Sequence, residues 1–320
     1  MRIATFNVQR MRLRDCGDET HLDGARDGDS PQDNKVADRE LDHLDRKLTA
    51  RVLAEVNADV VALQEVFDQA TLDHFHDEYL MAHSVEPWPY RVCLPGNDGQ
   101  GLNVALMSRK APQDIRSHAG LTCGDLGLEP LPGHGLDERI FRRDCLIATI
   151  EDITFCICHF KAPYPDTERS WFLRRREARA VRILIERAFS ELAEPLWLIL
   201  GDLNEPALDG GTNKRAIAPL TDESFAIDLL ERLPQEDRWS FRDPASGAFS
   251  HPDTMIASPA LASRFPSAIP FYVRCGMERA ITGNHERHLA GVGLHRPRAS
   301  DHAALTIDFG KNESGISRTA

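Results

Sequence analysis

Two hydrophobic periods alternate along this chain. Residues 1–8, Met-Arg-Ile-Ala-Thr-Phe-Asn-Val, read as a strand. Over residues 38–57, Leu41, Leu44, Leu48, Val52 and Val56 recur near every 3.6 residues, which predicts an amphipathic helix. That helix feeds a buried strand over residues 58–65. A helix near 69–82 and strands near 90–94 and 101–109 follow. Two strands over 140–150 and 153–159 are joined by a turn at Glu151-Asp152. A long helix over 168–189 carries Ala178, Val181, Ile185 and Ala188 on its apolar face. Arg174, Arg175, Arg179 and Arg182 are assigned to its solvated side. The pattern ends with a strand over 196–200, a short helix near 225–233, a strand over 253–257, a loop over 276–299 and a strand over 303–309. No fixed-period repeat is visible. Hairpin-type connections predict a mixed, mostly antiparallel set of sheets covered by helices, an α/β (α+β) architecture.

The polar positions at the strand ends change this picture. Asn7 ends the first strand, Glu65 the second and His159 a third. Asp202 and Asn204 end a fourth, Asp253 opens another and Ser300-Asp301-His302 opens the last. Taken singly, each is an ordinary turn, solvated edge or satisfied histidine. Taken together they form an inventory of carboxylates, amides and two histidines. Hard oxygen donors suit Mg²⁺, with Mn²⁺ as the alternative, rather than zinc. Histidine beside a carboxylate suits proton transfer near neutral pH. The combination points to metal-assisted attack of water on a phosphate ester.

The order of these pieces resembles the endonuclease/exonuclease/phosphatase superfamily, which includes pancreatic deoxyribonuclease, apurinic endonucleases and neutral sphingomyelinases. The matching segments are Thr5-Phe6-Asn7-Val8, Leu63-Gln64-Glu65-Val66, residues 101–109, His159-Phe160-Lys161, Gly201-Asp202-Leu203-Asn204, Asp253-Thr254-Met255-Ile256 and Ser300-Asp301-His302. The resemblance implies a four-layer α/β/β/α sandwich of two packed sheets with the site at their shared edge. It implies Glu65 as principal metal ligand, with Asn7 and Asp301 assisting. It implies Asp202 as the group that orients or deprotonates water, Asn204 as a phosphate contact, His302 held by Asp253, and His159 as a second phosphate-side histidine. Apurinic endonucleases carry Tyr where this chain has His159, so the resemblance is to the branch with His there.

Composition then limits the partners. The formal net charge of -12 argues against a nucleic-acid coat protein, whose binding rests on cations. Residues 14–46 hold eleven acidic and five basic residues, half of that net charge, and would repel a long polyanion if they lay beside the site. Substrate contacts are expected from Asn103, Lys161 and Arg143. A further contribution is expected from the cationic loop Arg279, His285, Arg287, His288, His295, Arg296 and Arg298. The seven cysteines read as reduced thiols. No stretch approaches the ~20 apolar residues of a membrane span, and the first residues lack a signal peptide's apolar core.

The expectation is one domain over residues 1–310, an acidic insertion near 10–37 and a disordered tail over 311–320. The protein is expected to be cytoplasmic and monomeric. Its expected activity is metal-dependent hydrolysis of a phosphodiester, first in DNA or RNA. The alternative is a small-molecule or lipid phosphate such as an inositol phosphate or sphingomyelin. The reading from a different class is an inactive binding module.

Overall fold

A computed structural model describes residues 1–15, 20–26, 36–190, 194–206, 215–283 and 287–310. Twelve strands form two six-stranded sheets. They are β1 (Arg2–Met11), β2 (Val60–Val66), β3 (Tyr90–Cys93), β4 (Asn103–Ser108), β5 (Pro112–Ser117), β6 (Cys145–Ile150), β7 (Ile153–His159), β8 (Trp197–Asp202), β9 (Ile227–Asp228), β10 (Asp253–Ala257), β11 (Phe271–Val273) and β12 (Ala304–Asp308). The first sheet has the order β11-β12-β1-β2-β4-β3 and the second β9-β10-β8-β7-β6-β5.

Each sheet is built around one parallel pair, β1 with β2 and β7 with β8. All other neighbours within the two sheets are antiparallel. A parallel pair needs a crossover, and helices α1 (Val36–Val56) and α2 (Thr167–Ala188) lie within those connections. Side chains alternate between faces, as strand geometry requires. Ile3, Phe155, Ile157, Leu198 and Leu200 meet in the core between the sheets. Ala4, Phe6 and Val8 turn the other way, onto Leu48, Val52 and Leu53 of α1. Cys156, Cys158 and Ile199 turn onto Ala178, Val181 and Ile185 of α2. The result is the expected four layers, helix, sheet, sheet, helix.

Several details differ from the sequence-based expectation. The acidic segment does not begin as a loop. β1 runs through Met11, and Leu13–Asp15 pairs with Thr20–Leu22 in a hairpin. Residues 16–19, 27–35 and the 311–320 tail lie outside the described residues. β5 was not expected, because its polar residues face outward from a sheet edge and only Pro112 and Ile115 are partly covered. The strand expected from residue 140 starts at Cys145. Arg174 does not lie on a solvated face. It is fully buried, and its guanidinium donates to the Lys161 carbonyl at 3.3 Å.

Candidate active site

The C-terminal ends of the two parallel pairs point to the same place. Asn7 follows from β1, Glu65 from β2, His159 from β7 and Asp202 from β8. In the strand register Asp202 faces His159 on one side and Asp253 on the other. One side chain ties the sheets together. The Asn7 amide nitrogen donates to Glu65 Oε1 at 3.2 Å and to Asp202 Oδ2 at 2.9 Å. His159 Nε2 lies 3.6 Å from Asp202 Oδ2 and 3.9 Å from Glu65 Oε1. His302 Nε2 lies 4.0 Å from Asp202 Oδ2.

Backbone distortions aim these groups. The ladder between β2 and β4 shifts register between Gln64 and Val66, so Glu65 is a bulge residue, and its φ is 68°. β1 shifts register beyond Asn7, where Gln9 and Arg10 have φ of 50° and 51°. Left-handed backbone costs roughly 1–3 kcal/mol at a non-glycine residue and persists where surrounding bonds dictate it. Those bonds are present. The Arg10 amide donates to Glu65 Oε2 at 2.9 Å, and the Gln9 amide donates to Asn7 Oδ1 at 3.0 Å. At Gly201, φ is 135° and a Cβ would stand 2.0 Å from the Cys158 carbonyl oxygen. Only glycine lets β8 approach β7 closely enough to place Asp202 beside His159.

Asp253 holds His302. Its Oδ2 lies 2.7 Å from His302 Nδ1 and accepts from the Ser240 hydroxyl at 2.6 Å. Phe241 covers the imidazole at 4.8 Å between ring centres. Asp301 reaches the end of β1 because its amide donates to Gln9 Oε1 at 3.2 Å and the Ser300 hydroxyl donates to the Asn7 carbonyl at 2.7 Å. Asn204, with φ of 54°, donates from its backbone to Asp202 Oδ1 at 2.9 Å and from its side chain to the Phe160 carbonyl at 3.0 Å.

The two histidines carry opposite charge states. Burial, with Arg143 and His302 nearby, pushes His159 well below its ordinary value, so it is neutral. Burial opposes charge on His302, but Asp253, with Asp301 and Asp202, raises it well above its ordinary value. Burial pushes Asp202 up to about 7, against the pull of His302 and with Asp253 and Glu65 adding to the rise.

The expected substrate contacts are placed differently. The Asn103 amide is spent on backbone: its oxygen accepts from Gly96 at 2.9 Å and its nitrogen donates to Phe67 at 2.6 Å. Arg143 is buried, donates to the Phe160 carbonyl at 2.9 Å and pairs with Asp98 at 3.2 Å. Lys161 Nζ donates to the carbonyls of Ala162 and Tyr164, bracing that loop, and burial lowers it to about 8. Three arginines of the 279–298 loop are paired within the protein, while Arg279 is exposed. Arg287 pairs with Glu55, Arg296 with Asp42 and Asp45, and Arg298 with Glu278. His285 lies outside the described residues.

Sequence reasoning missed three neighbours. Ser240 is isolated in sequence. Glu177 looks like any helical acid, yet it is buried and accepts from the Arg142 and Lys161 amides, each at 2.8 Å, which staples both segments beneath the site. The Tyr164 side chain is 68% exposed, and its backbone carbonyl accepts from Lys161 Nζ.

The donor types are those a divalent cation takes, but among the described residues the acidic group whose ligand atoms all lie within 4.8 Å of one another is His21, Asp23 and Asp42. Glu65, Asp202 and Asp301 offer hard carboxylate oxygens, and among the described residues no Lys or Arg forms an ion pair with them.

Comparison with known proteins bears on the family and the fold. The model of the endonuclease/exonuclease/phosphatase family matches residues 4–302. No curated protein matches the sequence significantly. Truncated TDP2 of Caenorhabditis elegans has 14% identity and a TM-score of 0.53, covering 96% of this chain and 95% of that one. TDP2 of D. rerio, solved with a single-strand DNA product, has 16% identity and a TM-score of 0.53, covering 96% and 97%. A mannosyl-6-phosphatase of Bacteroides thetaiotaomicron has 13% identity and a TM-score of 0.54, covering 96% and 98%. At these identities the likeness is one of fold.

Proposed function

We propose, from the premise that this chain belongs to the endonuclease/exonuclease/phosphatase family, that it is an Mg²⁺- or Mn²⁺-dependent phosphodiesterase acting on DNA or RNA. Phosphoester hydrolysis is the family's chemistry. The observation that carries the site assignment is the Asn7 amide bridging Glu65 and Asp202, with a neutral and a charged histidine within 4.0 Å of Asp202.

The roles follow from charge and reach. Glu65 and Asp301 would hold the divalent cation, with Asn7 fixing Glu65 against Asp202. The bound cation supplies neutralisation for the phosphoryl oxygens. Asp202, poised near neutrality by burial, accepts a proton from the attacking water. His302, kept cationic by Asp253, binds the scissile phosphate. His159 is neutral and donates a hydrogen bond toward the same group. Asn204 contributes its remaining amide hydrogen to a phosphate oxygen, because one is already committed to Phe160.

The likeness to a protein solved with single-strand DNA supports a nucleic-acid substrate. The likeness to a mannosyl-6-phosphatase supports the second reading, hydrolysis of a small phosphate ester. A panel of single- and double-stranded DNA, RNA, bis-p-nitrophenyl phosphate, inositol phosphates and sphingomyelin, with Mg²⁺, Mn²⁺ or EDTA, tests both. Metal-dependent cleavage of nucleic acid is the expected result. Cleavage of monoesters alone favours the second reading, and no cleavage of any ester overturns both.

A further inference from the structure

Beyond the bulge, β1 borders a groove of about 380 Å³ lined by Arg10, Arg12, Arg14, Arg26, Phe67 and Gly101, with Asp23 as its acidic member. The acidic segment thus presents a cationic wall here. Arg14 lies 2.7 Å from Asp23, and Arg26 lies 3.0 Å from Asp42. Arg10 and Arg12 differ from these two: among the described residues neither meets a carboxylate. Arg10 Nη1 donates to the neutral Gln100 Oε1 at 2.9 Å. The Arg12 guanidinium lies 3.9 Å above the centre of the Phe67 ring.

Both positions are built. Gly101 has φ of 72°, and a Cβ there would stand 2.3 Å from Phe67 Cδ2, so the loop closes onto the ring that supports Arg12. The Phe67 amide donates to the Met11 carbonyl at 2.9 Å. The groove adjoins the site, since the Arg10 amide donates to Glu65 Oε2 at 2.9 Å. In a chain of net charge -12, two partly exposed guanidinium groups that meet no carboxylate stand beside a candidate phosphoester site, where an anion can reach them. The planar guanidinium fork matches phosphate oxygens.

We propose that this groove is a second phosphate subsite. It takes a phosphate of the substrate other than the one cleaved, on the Glu65 side, through Arg10 and Arg12. The proposal rests on the phosphoesterase reading above and narrows its substrate to a molecule with at least two phosphates. Those phosphates come either from a polynucleotide strand or from a small bisphosphate.

The test measures kcat/KM with Mg²⁺ on two substrate pairs: tetrathymidylate against bis-p-nitrophenyl phosphate, and fructose 1,6-bisphosphate against fructose 6-phosphate. The pair that is cleaved identifies the source of the second phosphate. For that pair the double variant R10Q/R12Q is expected to reduce the preference for the substrate with more phosphates about 10- to 100-fold, and to lower the salt slope by roughly 0.7 per arginine for a single strand. R264Q, whose arginine pairs with Asp152, leaves the preference unchanged. An equal loss on both members, or no loss on either, overturns the proposal. If neither pair is cleaved, the wider ester panel above decides the phosphoesterase reading. Binding of labelled tetrathymidylate in EDTA then decides the subsite alone: a tenfold weakening in R10Q/R12Q supports it, and unchanged binding overturns it.

Discussion

Two clusters of carboxylates meet the end of β1, and they are neutralised in opposite ways. In the first, Asp23, Asp42 and Asp45 are gripped by Arg14, Arg26 and Arg296. Arg46 is fully buried beside them and donates to the carbonyls of Val8, Gln9, Asp23 and Gly24. Burial pushes Arg46 down to about 10, against the pull of Asp45, Asp23 and Asp42. His21, Asp23 and Asp42 have ligand atoms within 4.8 Å of one another, the spacing of a metal site, but arginines already supply the positive charge. In the second cluster, Glu65, Asp202, Asp253 and Asp301 have two histidines among them, one neutral. Carboxylate spacing alone therefore does not separate the two clusters; their counter-charge does.

This contrast can be broken at its strongest point first. Glu65→Gln is expected to lower kcat/KM on a phosphodiester about 10³-fold while leaving the folded protein intact, because it removes charge where charge is in excess. Steady-state kinetics with a thermal melt checks both halves. Asp42→Asn is expected to do the reverse. It removes one of the two carboxylates that each of Arg26 and Arg296 meets and costs about 2 kcal/mol of stability, read by denaturant unfolding, with activity per folded molecule retained. A variant at Asp42 that abolished turnover without loss of stability would erase the distinction.

Metal sharpens it further. At a hundredfold excess over its dissociation constant, Mg²⁺ is expected to stabilise the wild type by about 2.7 kcal/mol, and Asp42→Asn by the same increment. Glu65→Gln is expected to lose that increment in the same melts. A further effect is in pH. With EDTA present, folded Asp202 holds its proton up to about 7 while the unfolded chain releases it near 4. The folded state binds more protons between those values, so stability falls as pH rises across that window, by at most about 1.4 kcal/mol per unit. Asp202→Asn is expected to flatten that slope, and an unchanged slope would assign it to other groups.

Much of the candidate site was legible because each strand end releases its polar residue immediately after an apolar run. Leu200-Gly201-Asp202 and Cys158-His159 show this in sequence, and register then brings them together. The four layers were legible for the same reason, since the alternation of Ile3 and Ala4 or Phe155 and Cys156 splits each strand between two cores. What was not legible depends on partners far away. The acidic count over 14–46 suggested repulsion, yet Asp42 and Asp45 meet Arg296 some 250 positions later. Arg174 looked like a surface charge, and Glu177 drew no notice, because helical spacing does not reveal that Lys161 and Arg142 backbone groups wait beneath α2. The bulge at Glu65 has no sequence mark, since Gln64-Glu65-Val66 continues a strand pattern without glycine.

Titrating Mg²⁺ into the EDTA-stripped protein while following hydrolysis of bis-p-nitrophenyl phosphate tests the central claim most directly. The unneutralised carboxylates predict no turnover in EDTA and a saturable rise with Mg²⁺. A full rate in EDTA, or no rate at any Mg²⁺ concentration, would contradict it.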